Sequence, residues 1–443
     1  ERHRIAALPA PYHTMASADF ASGVDSAVGG GGAEDGRRTK RLRRVCDDGL
    51  DAASPRASAP LGRPPATAKG APDLMSEKDI RIPALCHALA AGCTFGAPLQ
   101  RKNAAARAAG MLLDLAVHLK QQQYVIAAGA APHLAMLMRN GGEKGRLVAA
   151  ELLSRLTAPP VVRGDDTADM SAAEAAARVA PPAAAASPQF RELLKATVEI
   201  LADNRDVRGH PHAARLLANL SHVRELRPRI AEHSCMHRFA RLLELGTGDP
   251  ELLASAARAL GNLAASPALA EDVARTGAAS ALAEVAGAPE ASPEARTWAA
   301  LALRNISAAS PKLRLVVASA GAVPRLASLL RVGFAKGELA AAVALQALAA
   351  EPASLAGFSK EATLQALLGA ARCGAMPETR QAAVGALRGV CGLAGGDLWR
   401  GVAGALARGL GEPGLVEAGA EEISNRLRAL ATEGPAPDPA VSG

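Results

Sequence analysis

Apolar residues recur at helical spacing along most of the chain, as in Leu134–Leu137, Arg241–Leu245 and Leu326–Leu330. The strongest pattern is a nine-residue stretch reading small-small-x-x-Leu-x-Asn-Leu-small. It occurs as Ala213–Ser221, as Ala256–Ala264 and, with Ile306 in the second apolar place, as Ala299–Ser307. Asn219, Asn262 and Asn305 therefore stand 43 residues apart, twice. The same slot continues at steps of 42 to Ala347 and Gly389 and ends at Ala429; backwards it falls at Arg155 and Asp114. One step measures 64, and the Pro/Ala/Asp-rich segment Ala158–Gln189 accounts for the surplus as an insertion loop (158–189). A second landmark precedes the Leu-rich segments: Gly129–Leu134, Gly277–Leu282 and Gly321–Leu326 share one pattern. Glycine permits a sharp corner between helices, and proline suits the first turn of the next one. Each unit thus predicts a short helix, a Gly corner, a second helix, a loop and a third helix.

A period near 42 with this content resembles the armadillo class of repeat proteins. The resemblance covers residues 76–434 and implies an all-α, right-handed α-solenoid of about eight repeats. One unit cannot bury its apolar faces alone, so stacked neighbours share a continuous core. Residues 76–93 are expected to supply a capping helix. The two-helix HEAT solenoid is the nearest alternative, and the Gly corner argues against it.

The resemblance also implies a function. In armadillo proteins the third helices line a concave groove that takes an extended peptide. Residues i and i+4 share a helix face, so Asn219 goes with Arg215 and Asn262 with Arg258. Arg304 lies beside Asn305, and Arg304, Gln346 and Arg388 continue a polar line at 42-residue steps. The family's groove asparagine holds peptide backbone, a task suited to an amide that both donates and accepts. Arginine forks would add carboxylate or phosphate recognition. The plainer alternative is that these asparagines bond local backbone and the arginines are solvated. Importin alpha, the armadillo carrier of basic cargo, places Trp four residues before the Asn. Here that place holds Arg215, Arg258 and Leu301; Trp298 sits one helical phase away and Trp399 elsewhere. Arginine in place of tryptophan should repel Lys-rich cargo and looks more like the β-catenin type, which favours acidic or phosphorylated segments.

Composition narrows the picture. Of 443 residues 49% are hydrophobic but only 2% aromatic, so the core must consist of Ala, Leu and Val. Such residues suit closely stacked helices and suit β-sandwiches poorly. With 42 Gly and 29 Pro, helices should be short, which argues against a coiled coil or a large parallel-sheet enzyme. The net charge of +7 permits acidic partners without calling for direct nucleic-acid binding. Cys46, Cys86, Cys93, Cys235, Cys373 and Cys391 show no C-x-x-C spacing and read as reduced thiols of an intracellular protein. The apolar stretch Ala340–Ala350 is well short of the roughly 20 residues a membrane-crossing helix needs.

Residues 1–75 and 435–443 lack apolar periodicity and are expected to be disordered. Met15 reads as the true start. Arg37, Arg38, Lys40, Arg41, Arg43 and Arg44 form a basic cluster that resembles a nuclear-import signal, with importin as its implied partner and the nucleus as the expected address. His210, His212, His222, His233, Cys235 and His237 lie close in sequence, but the repeat phase makes convergence on a metal awkward. No catalytic or cofactor motif is present, so no cofactor is expected. The expectation is a non-enzymatic scaffold or adaptor that binds extended acidic segments. A cytoplasmic adaptor in ubiquitin-ligase, cytoskeletal or trafficking assemblies is the alternative, and an import carrier is disfavoured.

Overall fold

The computed structural model describes residues 77–94, 96–116, 119–158, 172–203, 207–246, 248–331, 335–394, 396–411 and a few positions between 423 and 429. The basic cluster 37–44 and both expected tails lie outside the described residues. The chain enters through α1 (Glu77–Gly92) and α2 (Leu99–Leu115). A first triplet follows: α3 (Leu119–Ala127), α4 (Ala130–Asn140) and α5 (Glu143–Leu156). The next is α6 (Ala172–Val179), α7 (Pro188–Ala202) and α8 (His210–Leu220). Then come α9 (Arg227–Ala231), α10 (Cys235–Glu244) and α11 (Pro250–Ala264). The fourth triplet is α12 (Pro267–Arg275), α13 (Ala278–Gly287) and α14 (Pro293–Ala309). The fifth is α15 (Pro311–Ser319), α16 (Ala322–Leu329) and α17 (Ala335–Leu348). The sixth is α18 (Leu355–Phe358), α19 (Glu361–Cys373) and α20 (Pro377–Leu393), after which α21 (Gly396–Leu410) closes the array.

Two ladders hold these units together. The third helices α2, α5, α8, α11, α14, α17 and α20 stack in sequence, and so do the second helices α1, α4, α7, α10, α13, α16, α19 and α21. The third helices, mostly the longer ones, share the more extensive seams, and the armadillo resemblance implies that they line the inside of the superhelix. Small residues make this possible. A Cβ added to Gly261 would meet Ala302 at 3.4 Å, and one added to Gly389 would meet the Ala349 Cβ at 3.1 Å. The core is correspondingly Ala and Leu, with Phe239 and Phe358 the largest wholly buried side chains. No single helix among the described residues is long and apolar enough to cross a bilayer.

Local chemistry sets the helix ends. Gly129, Gly277 and Gly321 adopt φ of 74°, 81° and 70° at the entrances of α4, α13 and α16, the left-handed corner the sequence predicts. The corner before α10 is made instead by Ser234, with φ 56°. A Cβ in that region costs about 1 kcal/mol. Ser234→Gly is therefore expected to raise the unfolding free energy measured in urea by up to about 1 kcal/mol, and Gly277→Ser to lower it by a similar amount. Third helices start with Pro in the first turn at Pro250, Pro293 and Pro377, and the Asp249 and Ser292 side chains accept from exposed amides of α11 and α14. Three residues after the proline, Arg296 Nε donates to Ala286 O (3.2 Å) and Arg380 Nη1 to Gly374 O (3.0 Å). Each caps the carbonyl end of the preceding second helix, where a cation is favoured.

The segment read as an insertion loop is partly helical. Its Ala-rich run Ala172–Val179 has high helix propensity, packs on α8 and serves as the first helix of its triplet, with Ala175 and Ala176 buried. Residues 159–171 lie outside the described residues.

Candidate functional site

The inner ladder carries the polar residues singled out by the repeat, and it divides them into two groups. Asn219 donates through Nδ2 to Ser154 O (3.0 Å) and to Thr157 Oγ1 (3.1 Å). Asn262 donates to Ala218 O (3.3 Å) and Ser221 Oγ (3.0 Å), and Asn305 to Gly261 O (2.9 Å). The acceptor carbonyl is always that of the residue just before the equivalent slot one repeat earlier. It belongs to the last turn of the preceding third helix, where carbonyls lack helical partners or share them. The hydroxyl acceptor stands two residues past the slot, as Thr157 and Ser221; the next such place is Ala264, so Asn305 has the carbonyl alone.

This corrects the groove reading for two of the three asparagines. Asn219 and Asn262 are 1% and 3% exposed, enclosed between neighbouring repeats rather than presented to a guest strand. Their amides stitch repeat to repeat. Asn305 remains half-buried.

The arginines divide in the same way. Arg258 Nη2 donates to Asn219 Oδ1 (3.0 Å), and its guanidinium carbon lies 5.9 Å from the Trp298 ring centre. Arg215 forms an ion pair with Glu251 of the following third helix. Burial, then the neighbouring Arg258 and Arg155, lowers the Arg215 pKa. The separation of 36 residues between Arg215 and Glu251 recurs between Arg258 and Glu294, a signal in the sequence that marks these arginines as inter-repeat ties. Arg304 differs. Its Nε and Nη2 both meet Asn305 Oδ1, at 3.3 and 3.1 Å, and burial alone lowers its pKa. Among the described residues no carboxylate pairs with it. Gln346 and Arg388 follow at the same register on α17 and α20, and both are exposed. A Cβ on Gly385 would lie 2.5 Å from Gln346 Nε2, so this glutamine reaches across the seam onto α20. The part of the predicted line that is not enclosed between repeats thus runs over α14, α17 and α20.

The His/Cys segment stays dispersed. His210 Nε2 is 3.2 Å from Asp203 O, His233 Nδ1 is 3.0 Å from Arg229 O, and the Cys235 thiol donates to Ile230 O (3.0 Å). His237 is exposed, His212 faces Glu151 at 4.0 Å, and His222 packs edge-on against Trp298 at 6.3 Å. Among the described residues no group of three or more His, Cys, Asp or Glu side chains could hold a metal ion. Sequence reasoning missed Arg227, 4% exposed, whose Nε donates to Ser221 O (2.8 Å) and whose Nη2 reaches His222 O (3.4 Å) at the end of α8.

With six three-helix units among the described residues, Gly corners and a third-helix ladder, the fold is that of an armadillo α-solenoid. The chain aligns with several solved structures. An engineered protein aligns over 81% of this chain and 97% of its own, at 16% identity and a TM-score of 0.50. A designed armadillo repeat protein aligns over 60% of this chain and 99% of its own, at 21% identity and TM-score 0.47. Another, solved in complex with the peptide (KR)4, covers 60% and 99% at 20% identity and TM-score 0.45. No protein-family profile and no curated protein matches the chain.

Proposed function

We propose that this chain is a non-enzymatic scaffold that holds an extended, acidic segment of a partner protein along the inner face of α14, α17 and α20. The observation that carries the reading is Arg304, a half-buried guanidinium that bonds the neutral oxygen of Asn305 and, among the described residues, pairs with no carboxylate, at the head of the exposed line Gln346 and Arg388. A carboxylate would supply the charge-assisted, two-pronged bond that the amide oxygen cannot. Helix–helix separations of 8–10 Å and an extended rise of ~3.3 Å per residue put acids about five or six residues apart in register with Arg304 and Arg388. Fluorescence anisotropy with a labelled peptide of that spacing tests the proposal. Arg304→Glu or Arg388→Glu is expected to weaken binding at least about tenfold. Equal affinity for wild type and both variants would remove the reading.

The nucleus is the proposed address, supported by the run Arg37–Arg44. A fluorescent fusion with Arg41 and Arg43 changed to Ala is expected to leave the nucleus, and an unchanged nuclear signal would remove that part of the proposal.

A further inference from the structure

A second site lies away from the inner face. Leu330 and Arg331 just after α16, Glu338 of α17 and one side of α19 line a cleft of about 610 Å³, within the range of small-ligand pockets. Its walls include Leu330, Ala366 and Ala370, and Glu338 of α17 also lines it. Glu338 is only 8% exposed. Its carboxylate accepts a single long bond, 3.4 Å from the Ala375 amide, and no cation among the described residues forms an ion pair with it. Among the described residues one oxygen of this carboxylate therefore has no protein partner and can accept from a ligand. The other carboxylate of the cleft, Glu361, is already tied to Arg408 at 3.3 Å and is exposed. Arg331 lines the cleft but is exposed and has no ion pair with Glu338.

We infer that this cleft binds an ammonium or guanidinium group carried on a short aliphatic stem, with Glu338 taking the cation and the Ala/Leu walls taking the stem. The chemistry is common to the side chain of an arginine or lysine in a peptide and to a free alkyl amine. Long basic side chains bury their methylenes along apolar surface while their heads seek charge, and here the charge lies inside. Gln365, whose amide oxygen can accept, also lines the cleft and gives the head a second partner. The site is independent of the inner face, so it stands whether or not Arg304 takes an acidic segment.

The cleft supplies its own reporter. Cys373 lines it and is exposed, whereas Cys86, Cys93, Cys235 and Cys391 are buried. In the full chain with Cys46→Ser, a trifluoromethyl tag on Cys373 is followed by fluorine NMR during titration with three probes. These are agmatine, a short peptide with one central arginine, and 1-butanol. Agmatine, the peptide or both are expected to shift the signal to saturation while butanol does not; which of the two acts tells the free amine from the side chain. Glu338→Gln, which keeps an oxygen to accept from the Ala375 amide, is expected to weaken that binding at least about tenfold while leaving the melting temperature close to the parent's. Gly369→Leu is a second variant. It lines the cleft where an added Cβ meets nothing within 4 Å, so leucine fills the space and favours the helix. It too should abolish the shift. Removing the rim cation with Arg331→Ala should tighten agmatine. A shift that butanol reproduces, that survives Glu338→Gln unchanged, or that never saturates with either cation would overturn the assignment.

Discussion

Asn219→Ala is expected to destabilise the solenoid by about 3 kcal/mol, Asn262→Ala by about 2, and Asn305→Ala by about 1. The ranking follows from what each side chain holds. Asn219 donates to a carbonyl and a hydroxyl of the preceding repeat and accepts from Arg258 of the next, so its loss takes one bond each from two buried groups and from the half-buried Arg258. Asn262 has one carbonyl and one hydroxyl acceptor, whereas Asn305 has the carbonyl of Gly261 and accepts from Arg304 at a half-exposed position, where water can substitute for both. Asp at position 219 should be at least as harmful as Ala, because a carboxylate cannot donate to Ser154 O. Since a repeat array melts through nearest-neighbour interfaces, the urea midpoint of the full chain is the quantity to compare. Three equal midpoints near wild type would show that the amides stitch nothing.

His222→Phe is expected to flatten the acid side of the stability profile. His222 is 8% exposed, its Nε2 lacks a hydrogen-bond partner, and burial followed by Arg258 and Arg227 pushes its pKa down to about 3. Below pH 6.5 the unfolded chain takes up a proton that the native chain refuses until about pH 3. The unfolded state therefore binds more protons in that window, and native stability falls as pH falls, at most about 1.4 kcal/mol per unit. Phenylalanine keeps the edge-on contact with Trp298 and removes the proton. At pH 4 the variant should exceed wild type by about 3 kcal/mol more than it does at pH 7. Parallel stability curves for the two proteins across pH 4–7 would contradict the placement of His222. Burial lowers the His212 pKa as well, so a smaller slope of the same sign should persist in the variant.

The architecture was legible because glycine corners and the Asn slot are tied to backbone geometry. Gly129, Gly277 and Gly321 sit where a residue without a Cβ turns most easily, and the structure places each at a left-handed φ. The equivalent Ser234 was invisible for the same reason: serine carries no signal for a left-handed corner. The site was legible only in part. Spacing located Asn219 and Asn262 on the third helices but could not tell a side chain facing the groove from one facing the preceding repeat. That choice depends on how closely helices approach, which contacts such as Gly261 against Ala302 decide. The Thr157 and Ser221 hydroxyls two residues past the slot were the available hint. Glu338 gave no hint, since a glutamate in the first turn of a helix is ordinarily solvated.

Hydrogen exchange on the full chain, with and without the acidic peptide, tests the central claim most directly. Added protection is expected at the inner face of α14, α17 and α20, at the ends that carry Arg304, Gln346 and Arg388, with α8 and α11 unchanged. Protection confined to α8 and α11, or to the second helices, would contradict it.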